Sequence, residues 1–439
     1  MSIKLIATGD SLFSSRRLKH RLPEEIVSLF SSSDISFTNA EFTTPRESRP
    51  VAAGRGYVTS VRPEILEEFD DLNIRYVSFA NNHSGDFGIE GLVDTLEEAK
   101  NHNLQPLGIG KSLYEARKPV FYDHQEGRVA FITVDITRSE VFIASEGGNG
   151  VPPRPGVNAL RFESIYQLPE KEFQQLAAID EKLGTRQSTY HGNVIETFNP
   201  DNSERFKFGA LFEKNIQIQK GPDFKVITKA NDDDQADIIR HIKDAKKRSD
   251  YIVVSIHTHE GKNEDWYHDY AADFVEEFSR TAIDNGADVI IGHGAHMTRG
   301  VESYKGKTIF YNLGSLLMEF EAGESIVPPE MYQAYGYAPD ALPSDLHSNR
   351  VKNKDGEFIG FYSDKVFDEN FLVELDLDKT ISYRILPYSL NLRADQISKR
   401  GLPILSEGVY ESILSRLNSI SRGVSFELKD GWIYPKSST

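Results

Sequence analysis

Hydrophobic positions in the first third of the chain follow two alternating spacings. Short apolar runs rich in β-branched and aromatic residues predict buried strands in "IKLIATGD", "ISFTNAEF", "IRYVSFANN" and "RVAFITVDIT". The segments between them place apolar residues at helical spacing, as in "PEEIVSLFSSSD", "RPEILEEFDDLN" and "GIEGLVDTLEEAKNHN". Strands that alternate with helices predict an α/β fold in which helices flank a central sheet.

The same alternation resumes after about residue 235. Helical spacing in "DDQADIIRHIKDAKKRSD" and "DFVEEFSRTAIDNG" alternates with strand-like runs in "YIVVSIHTHEG", "ADVIIGHGAH" and "KTIFYNLGSLL". Further along, "FLVELDLDKTISYRILPYSL" predicts a hairpin that turns around Asp378 and Lys379, and "GVYESILSRLNSIS" predicts a helix.

Two polar segments interrupt the pattern. Residues 138–235 are rich in Gly, Pro, Asn and Gln and show no sustained period, and residues 322–365 carry several prolines, glycines and tyrosines. Long loops in compact domains are uncommon and often serve as lids or binding insertions. We therefore predict one domain over 1–320 with an insertion at 138–235, and a region over 321–439 whose strands and helix pack on that same domain.

Composition narrows the possible functions. The 439 residues include 50 Lys and Arg against 67 Asp and Glu, a net charge of −17, which argues against a nucleic-acid partner. The lack of cysteine excludes disulfides, thiolate zinc sites and cysteine nucleophiles. No apolar run approaches the roughly 20 residues of a membrane helix, and the N-terminus does not resemble a secretory signal. We expect a cytoplasmic protein with no transmembrane segment.

Side chains capable of chemistry recur where the predicted strands end. Because ligands of open α/β sheets bind outside the carboxyl ends of the strands, we expect these side chains to share one site. Five strands supply them: Asp10; Asn39 and Glu41; Asn81, Asn82 and His83; His257 and His259; His293 and His296. Any one of these groups alone is more often a satisfied loop or core residue, so the prediction rests on the set.

In order along the chain, several motifs resemble those of the CapA/PgsA family. They are "ATGDSLF", "FTNAEF", "SFANNHSGDFGIEGLVDTLEEAK", "VVSIHTHEG" and "NGADVIIGHGAHMTRGVESYKGKTIFYNLGSLL", with "RPGVNALR" as a further similar segment. The resemblance covers roughly residues 1–140 and 235–320, and the C-terminal segment loosely. It implies a calcineurin-like metallophosphoesterase fold, a sandwich of β-sheets flanked by helices, and a link to poly-γ-glutamate capsule synthesis.

The resemblance also implies a candidate metal cage. The residues that match the cage positions are Asp10, Glu41, Asn82, His83, His257 and His296. Two donors are replaced, because Leu12 stands where the related enzymes have the histidine of Asp-x-His, and Gly294 stands two positions before His296 where another histidine is usual. With these donors lost, no cofactor is favoured. A divalent Mn, Fe or Zn remains the alternative, and His259 would then substitute for a missing ligand.

The incomplete cage favours a hypothesis of peptide epimerisation without metal. Inversion of an amino-acid Cα requires a base on one face and an acid on the other, for which we select Asp10 and either His296 or His293. The substrate would be a peptide or polyglutamate-like amide. Candidate groups that bind it or its oxyanion are Asn39, Glu41, Asn82, His83, His257 and Arg154.

Other interpretations of the same residues stay open. One is a metal-dependent phosphoesterase or hydrolase, and another is an accessory subunit for capsule polymer synthesis without catalytic activity. Trp266 and Tyr267, in "EDWYHDY", either line the cleft or simply pack at the start of a helix.

Overall fold

Secondary structure in the computed structural model follows the two periodicities of the sequence. The structure describes residues 2–55, 57–137, 140–195, 202–209, 216–319, 326–338 and 340–436. The strands of these residues are β1 Ile3–Leu12, β2 Ile35–Ala40, β3 Tyr76–Ser78, β4 Gln105–Leu107, β5 Ile109–Gly110, β6 Val120–His124, β7 Gly127–Asp135, β8 Gly156–Val157, β9 Phe162–Leu168, β10 Arg205–Phe208, β11 Ile216–Lys220, β12 Lys225–Ala230, β13 Tyr251–His257, β14 Val289–His293, β15 Val301–Tyr304, β16 Lys307–Phe310, β17 Ser315–Met318, β18 Glu369–Leu377, β19 Ser382–Ser389, β20 Phe426–Lys429 and β21 Trp432–Pro435.

The α-helices lie between the strands. They are α1 Glu24–Ser32, α2 Glu67–Asp71, α3 Gly88–Asn101, α4 Leu113–Arg117, α5 Glu170–Leu183, α6 Thr185–Ile195, α7 Asp232–Lys246, α8 Asp273–Asp284, α9 Pro329–Ala334, α10 Pro343–Val351 and α11 Glu407–Ile420. Single turns of 3-10 helix cover Leu18–His20, Pro63–Leu66, Glu140–Phe142, Lys262–Glu264, Gly360–Tyr362, Lys365–Phe367 and Ile397–Lys399. In the described ranges, no helix combines the length and apolar character needed to cross a bilayer.

Two large sheets carry the fold. The first has the strand order β20-β21-β19-β18-β1-β2-β3-β4, and β17 also pairs with β1; the second has the order β15-β16-β14-β13-β7-β6. Strands β1, β2, β3 and β4 are parallel to one another, as are β7, β13, β14 and β16. Parallel pairing brings the carboxyl ends of these strands to one edge of each sheet, where ligand sites of α/β folds form.

The alternation of side chains along the strands builds three apolar layers. Leu5 of β1 and Phe131 of β7 lie in the core between the two sheets, whereas Ile132, the next residue of β7, packs with α7 and α8 on the outer face of the second sheet. Helices α1 and α3 cover the outer face of the first sheet. Since the period of a strand is two, one strand serves both layers. The predicted α/β sandwich of sheets flanked by helices is confirmed.

The predicted hairpin and terminal helix are also present. Strands β18 and β19 pair antiparallel from Glu369 opposite Ser389 to Asp376 opposite Ser382. Strand β18 continues the first sheet by pairing antiparallel with β1, and α11 packs its buried residues against the same sheet pair. The C-terminal residues therefore complete the first sheet and cover part of the core.

The two polar interruptions are not the long loops that their composition indicated. Residues 138–235 include α5, α6 and a four-stranded sheet of order β10-β11-β9-β12, which encloses a small core of Phe173, Phe206 and Ile218. Residues 322–365 include α9 and α10. The helix and strand periodicities of these two segments are weak in the sequence because each of their elements buries few residues. Parts of both interruptions (138–139, 196–201, 210–215, 320–325 and 339) lie outside the described residues.

Candidate active site

Loops at the carboxyl ends of both sheets bring the predicted polar residues together. The first sheet supplies Asp10 within β1, Asn39 within β2 and Glu41 just after it. The second supplies His257 at the end of β13 and His296 after the end of β14. Glu41 and Asp10 are almost completely buried, so the acidic groups lie beneath the surface of the fold.

The Glu41 carboxylate lies at the centre of this cluster. Its Oε1 atom is surrounded by ring nitrogens of four histidines that lie at or after the ends of three strands, β3, β13 and β14. The distances from Glu41 Oε1 are 3.9 Å to His83 Nε2, 3.8 Å to His257 Nε2, 3.9 Å to His259 Nε2 and 3.5 Å to His296 Nε2. All four distances exceed ordinary N–H···O hydrogen-bond lengths, so the imidazoles surround the carboxylate without binding it closely.

Two sets of donors in this cluster have the spacing of metal ligands. Glu41, His257 and His259 form one set, Asp10, Glu41 and His296 form the other, and the ligand atoms within each set lie within 4.8 Å of one another. Among the described residues, Glu41 Oε2 and His259 Nε2 are buried atoms without a hydrogen-bond partner. Buried polar atoms normally have partners, and carboxylate oxygens with imidazole nitrogens are the donors that Mn, Fe and Zn accept. The residues present therefore fit a divalent metal ion.

Burial sets the charge of the imidazoles. Desolvation, and then the neighbouring His257, His296 and His83, hold the pKa of His259 well below its usual value. Desolvation also lowers the pKa of His296 to about 4, although the charge of Asp10 opposes it. Both rings are neutral at pH 7, which is the form that offers a lone pair to a metal.

The two carboxylates differ in their surroundings. Burial raises the pKa of Glu41 far above its usual value, and the nearby Asp10, Asp86 and Asp135 raise it further. Burial also raises the pKa of Asp10, but its contact with His257 and its electrostatic interactions with His293 and His296 outweigh burial and lower that pKa. Asp10 is thus an ionised anchor, whereas Glu41 is ionised only beside a positive charge.

Hydrogen bonds fix Asp10 from two sides. Asn39 Nδ2 donates to Asp10 Oδ1 at 2.8 Å, and the backbone N–H of Gly294 donates to Asp10 Oδ2 at 2.8 Å. Asn39 in turn accepts a bond from Asn81 Nδ2 at 3.2 Å. Asn39 and Asn81 therefore hold Asp10 in position within the cluster through hydrogen bonds.

A second network positions His83. Its Nδ1 lies 2.7 Å from Asp86 Oδ2, and the backbone N–H of Thr59 donates to the same oxygen at 2.7 Å. Arg55 donates from Nε to Asp86 Oδ1 at 2.9 Å and from Nη2 to the carbonyl of Asn82 at 2.7 Å. The side-chain oxygen of Asn82 lies 2.9 Å from His257 Nε2, which joins the two networks.

Above the cluster opens a cavity of about 380 Å³. Its floor contains Glu41, His83, His259 and His296, which are polar and titratable. Its walls are aromatic and cationic; they include Arg55, Tyr57, Trp266, Tyr267, Arg350 and Phe361. Trp266 and Tyr267 therefore line the cleft, one of the two roles that the sequence left open. Asp10 and His257 are buried and contact floor residues His296 and Glu41, and Asn39 is buried beside both of them.

Two of the predicted residues are placed elsewhere. His293 is fully buried: its Nε2 donates to the carbonyl of Thr8 at 2.9 Å, and its Nδ1 lies 3.1 Å from the hydroxyl of Ser255. It packs edge-on against Phe37 in the core. Arg154 is exposed, and its Nε donates to the carbonyl of Ile143 at 2.9 Å. Of the predicted proton-transfer residues, His296 is the one that lines the cavity.

Gly294 is explained by the backbone around it. Its φ is +105°, and a Cβ at this position would lie 2.8 Å from the carbonyl oxygen of Thr258. A histidine cannot take this conformation without strain, so a side-chain ligand is replaced by a backbone N–H directed at Asp10. His259, two residues after His257, supplies an imidazole whose Nε2 lies 3.9 Å from Glu41 Oε1.

Arg299 is a residue of the site that the sequence pattern does not identify. This fully buried guanidinium donates to four backbone carbonyls of the loop that carries His259 and Trp266. The acceptors are the carbonyls of His259 at 3.1 Å, Glu260 at 3.1 Å, Trp266 at 3.0 Å and His268 at 3.2 Å. Arginine in "HMTRG" carries no periodic signal, and only the fold shows which carbonyls it binds.

Comparisons with known proteins agree on one family. A family profile described as "Bacterial capsule synthesis protein PGA_cap" matches residues 4–319. An uncharacterized protein, y4sH, of Sinorhizobium fredii is 28% identical over 95% of this chain and 89% of its own length. The PGA biosynthesis protein CapA of Bacillus subtilis is 24% identical over 66% of this chain, which spans 55% of that relative.

This chain also aligns with solved structures. A phosphatase from Mycoplasma pneumoniae aligns over 88% of this chain and 93% of its own, with 12% identity and a TM-score of 0.39.

Proposed function

Because this chain belongs to the family of bacterial capsule synthesis proteins, we propose that it is a metal-dependent hydrolase that acts on a peptide or polyglutamate-like amide. The observation that carries the proposal is the position of Glu41, whose carboxylate lies between two sets of metal-type donors and is surrounded by four imidazoles. A buried carboxylate whose pKa burial raises gains most from a cation placed beside it.

The donors have distinct roles in this proposal. Asp10 and His296 with Glu41 would hold one divalent ion, and His257 and His259 with the shared Glu41 would hold a second. A bound ion of this kind polarises a carbonyl and lowers the pKa of a water molecule. Asn39 and the Gly294 N–H keep Asp10 oriented, as outer hydrogen bonds do for metal ligands generally.

His83 is the proposed proton donor to the leaving amine. It lines the cavity floor, and Asp86 fixes one ring nitrogen while the other faces Glu41. A histidine held by a carboxylate has a defined ring orientation, as in general acid–base pairs of other hydrolases. The aromatic and cationic walls would hold the substrate over this floor.

Epimerisation by Asp10 and His296, predicted from the sequence, stays a prediction with weaker geometric support. The two groups must flank a Cα from opposite faces, each within about 3 Å, so their reacting atoms should be about 6 Å apart. Asp10 Oδ2 and His296 Nδ1 are 3.7 Å apart, and Asp10 is buried. This distance suits two ligands of one metal ion better than an acid and a base on opposite faces of one Cα.

Metal content tests the proposal directly. We expect the purified protein to bind Mn or Zn in calorimetric titration and elemental analysis, and Glu41→Gln to weaken binding at least tenfold. Glu374→Gln is the matched control, since Glu374 is also buried but pairs with Arg384 on the first sheet. Equal metal binding by Glu41→Gln and the wild-type protein would contradict the proposal.

Activity on the polymer distinguishes the remaining hypotheses. Poly-γ-glutamate incubated with the metal-loaded protein should release new amino groups, and chelation should stop the release. Phosphate release from phosphoesters without amide cleavage would favour the phosphoesterase alternative. Deuterium incorporation at Cα in heavy water without metal would favour epimerisation, and metal-independent partner binding without turnover would favour the accessory role.

A further inference from the structure

One wall of the cavity is formed by residues outside the part of the chain that the family profile matches. The profile ends at residue 319, and residues 326–338 and 340–367 contribute Arg350 and Phe361 to the cavity lining. We call these residues the wall segment. It packs through Met331, Tyr332 and Leu346 against Val58 and Phe87 of the first-sheet loops. The wall segment therefore changes what the cavity can accept without supplying any residue of the cluster around Glu41.

Aromatic rings hold the Arg350 guanidinium in place. Its centre lies 4.3 Å from the ring centroid of Tyr57 and 5.5 Å from that of Tyr335. The two tyrosine rings meet edge to face at 6.1 Å. An arginine stacked on aromatic faces keeps its charge and a fixed plane, which favours binding of planar oxyanions through paired N–H groups.

The other arginine of the cavity lining is used differently. Arg55 binds Asp86 and the carbonyl of Asn82, so its donors support the His83 network. Arg350 brings a second guanidinium to the cavity lining, on the side built by the wall segment.

Contacts between neighbouring side chains connect Glu41 to Arg350. Glu41 Oε1 lies 3.9 Å from His83 Nε2, the His83 and Tyr57 rings are 6.0 Å apart, and Tyr57 carries Arg350. A substrate can therefore place its reacting amide over Glu41 and extend along Tyr57. A substituent next to that amide then reaches Arg350.

We propose that Arg350 binds a carboxylate of the substrate and so selects an anionic peptide with free carboxyl groups next to the reacting amide. This inference rests on the proposed function for the position of that amide. A bidentate arginine–carboxylate pair provides both charge and geometry, which a neutral amide does not match. Phosphate offers the same oxyanion chemistry, and the experiment separates the two.

Binding of defined ligands by calorimetry tests the assignment. The ligands are a tripeptide of γ-linked glutamate, its analogue with every free carboxyl amidated, and inorganic phosphate. We expect Arg350→Met to weaken tripeptide binding at least tenfold, Arg350→Lys to weaken it less, and neither to change binding of the amidated analogue. Lys352→Met is the matched control, because exposed Lys352 directly follows α10 and stacks on Phe358.

Three results would overturn the assignment. They are unchanged tripeptide binding by Arg350→Met, an equal loss for both peptides, and tighter binding of phosphate than of the tripeptide. If Arg350→Met unfolds, Tyr335→Leu removes one supporting ring from a half-exposed position and should also weaken only the tripeptide. A protein that binds no metal and cleaves no amide, yet keeps Arg350-dependent binding, would contradict the proposed function and leave this inference standing.

Discussion

At the scale of single residues, the glycine in "GHGAH" shows how a backbone group replaces a side chain. The sequence identifies Gly294 as a lost histidine, but the structure shows a φ of +105° and an N–H bound to Asp10. His259 occupies the space around Glu41 from another loop. The absence of one ligand from the sequence therefore does not show that the site is lost, because the fold brings donors from other loops to it.

Gly294→Ala should lower the free energy of unfolding by about 2 kcal/mol or more. The strain of a positive φ costs about 1–3 kcal/mol, and the added Cβ also meets the Thr258 backbone. Urea denaturation measures the change. Gly184→Ala is the control, because Gly184 has a φ of +80° with open space around it and should cost less. Gly294→His with higher metal stoichiometry and normal stability would contradict this account.

At the scale of elements, the loop after β13 depends on one arginine. Arg299 binds four carbonyls of this loop, which carries His259 and Trp266 into the cavity. Burial lowers the pKa of Arg299 to about 10, so the guanidinium is charged at pH 7. The loop is thus held from inside by hydrogen bonds to a charged donor, which are stronger than bonds between neutral groups.

Arg299→Met should destabilise the protein by several kcal/mol and weaken metal binding. Each buried carbonyl left without its donor costs about 1–3 kcal/mol. Arg299→Lys, which retains the charge, should recover part of the stability but little of the metal affinity, because it cannot reach all four carbonyls. Denaturation midpoints and metal titration measure the two effects. Metal binding that is unchanged in both variants would show that the loop is positioned by other contacts.

Helix α10 carries a histidine that should make stability depend on pH. His347 is buried and, within the described chain, neither ring nitrogen has a hydrogen-bond partner. Burial, and then the charge of Arg350, lowers its pKa to about 4, against about 6.5 in an unfolded chain. The unfolded state therefore takes up a proton first as the pH falls. The stability present above pH 6.5 is lost progressively between pH 6.5 and 4.

His347→Leu should remove this part of the pH dependence. We expect the stability of the wild-type protein relative to the variant to fall by about 2 kcal/mol between pH 7 and pH 4.5. Denaturation at the two pH values measures the difference. His241, whose pKa burial also lowers to about 4, is unchanged in both proteins and cancels in the comparison. Parallel pH profiles for the two proteins would contradict the prediction.

At the scale of the whole molecule, the insertion is separable from the site. Its sheet β10-β11-β9-β12 has its own core, and none of the described residues of 169–223 lines the cavity. Tyr166 of β9 contacts Glu264 in the loop before α8 through a hydrogen bond. This contact lies outside the segment to be removed.

Replacing residues 169–223 by Asn-Gly should leave metal stoichiometry and tripeptide binding unchanged. Strands β9 and β12 already pair antiparallel, with Gln167 opposite Lys225, so a short turn can join them. Metal titration and calorimetry test the shortened chain, and Tyr166→Phe in the full chain tests the contact with Glu264. A shortened chain that folds but no longer binds metal would assign the insertion a part in the site.

The sequence predicted the features of this molecule that follow from the spacing of apolar and polar residues within each segment. The α/β alternation, the hairpin of β18 and β19, and the clustering of Asp10, Glu41, His257 and His296 at strand ends all follow from it. The role of Arg299 and the bond from the Gly294 backbone N–H to Asp10 could not be predicted, because both depend on which loops meet in space. The small sheet of the insertion was missed because its strands bury little apolar surface.

The place of β1 in the first sheet has a consequence for how the chain acquires its structure. Strand β1 lies in the interior of that sheet, between β2 and β18, and Ile3 pairs with Leu377. During synthesis on the ribosome, the edge of β1 that pairs with β18 therefore stays unpaired until β18 is made, almost a whole chain length later. Contacts so distant in sequence form slowly and leave strand edges exposed meanwhile. We expect slow refolding, and a need for chaperones during translation that ends only when β18 has left the ribosome.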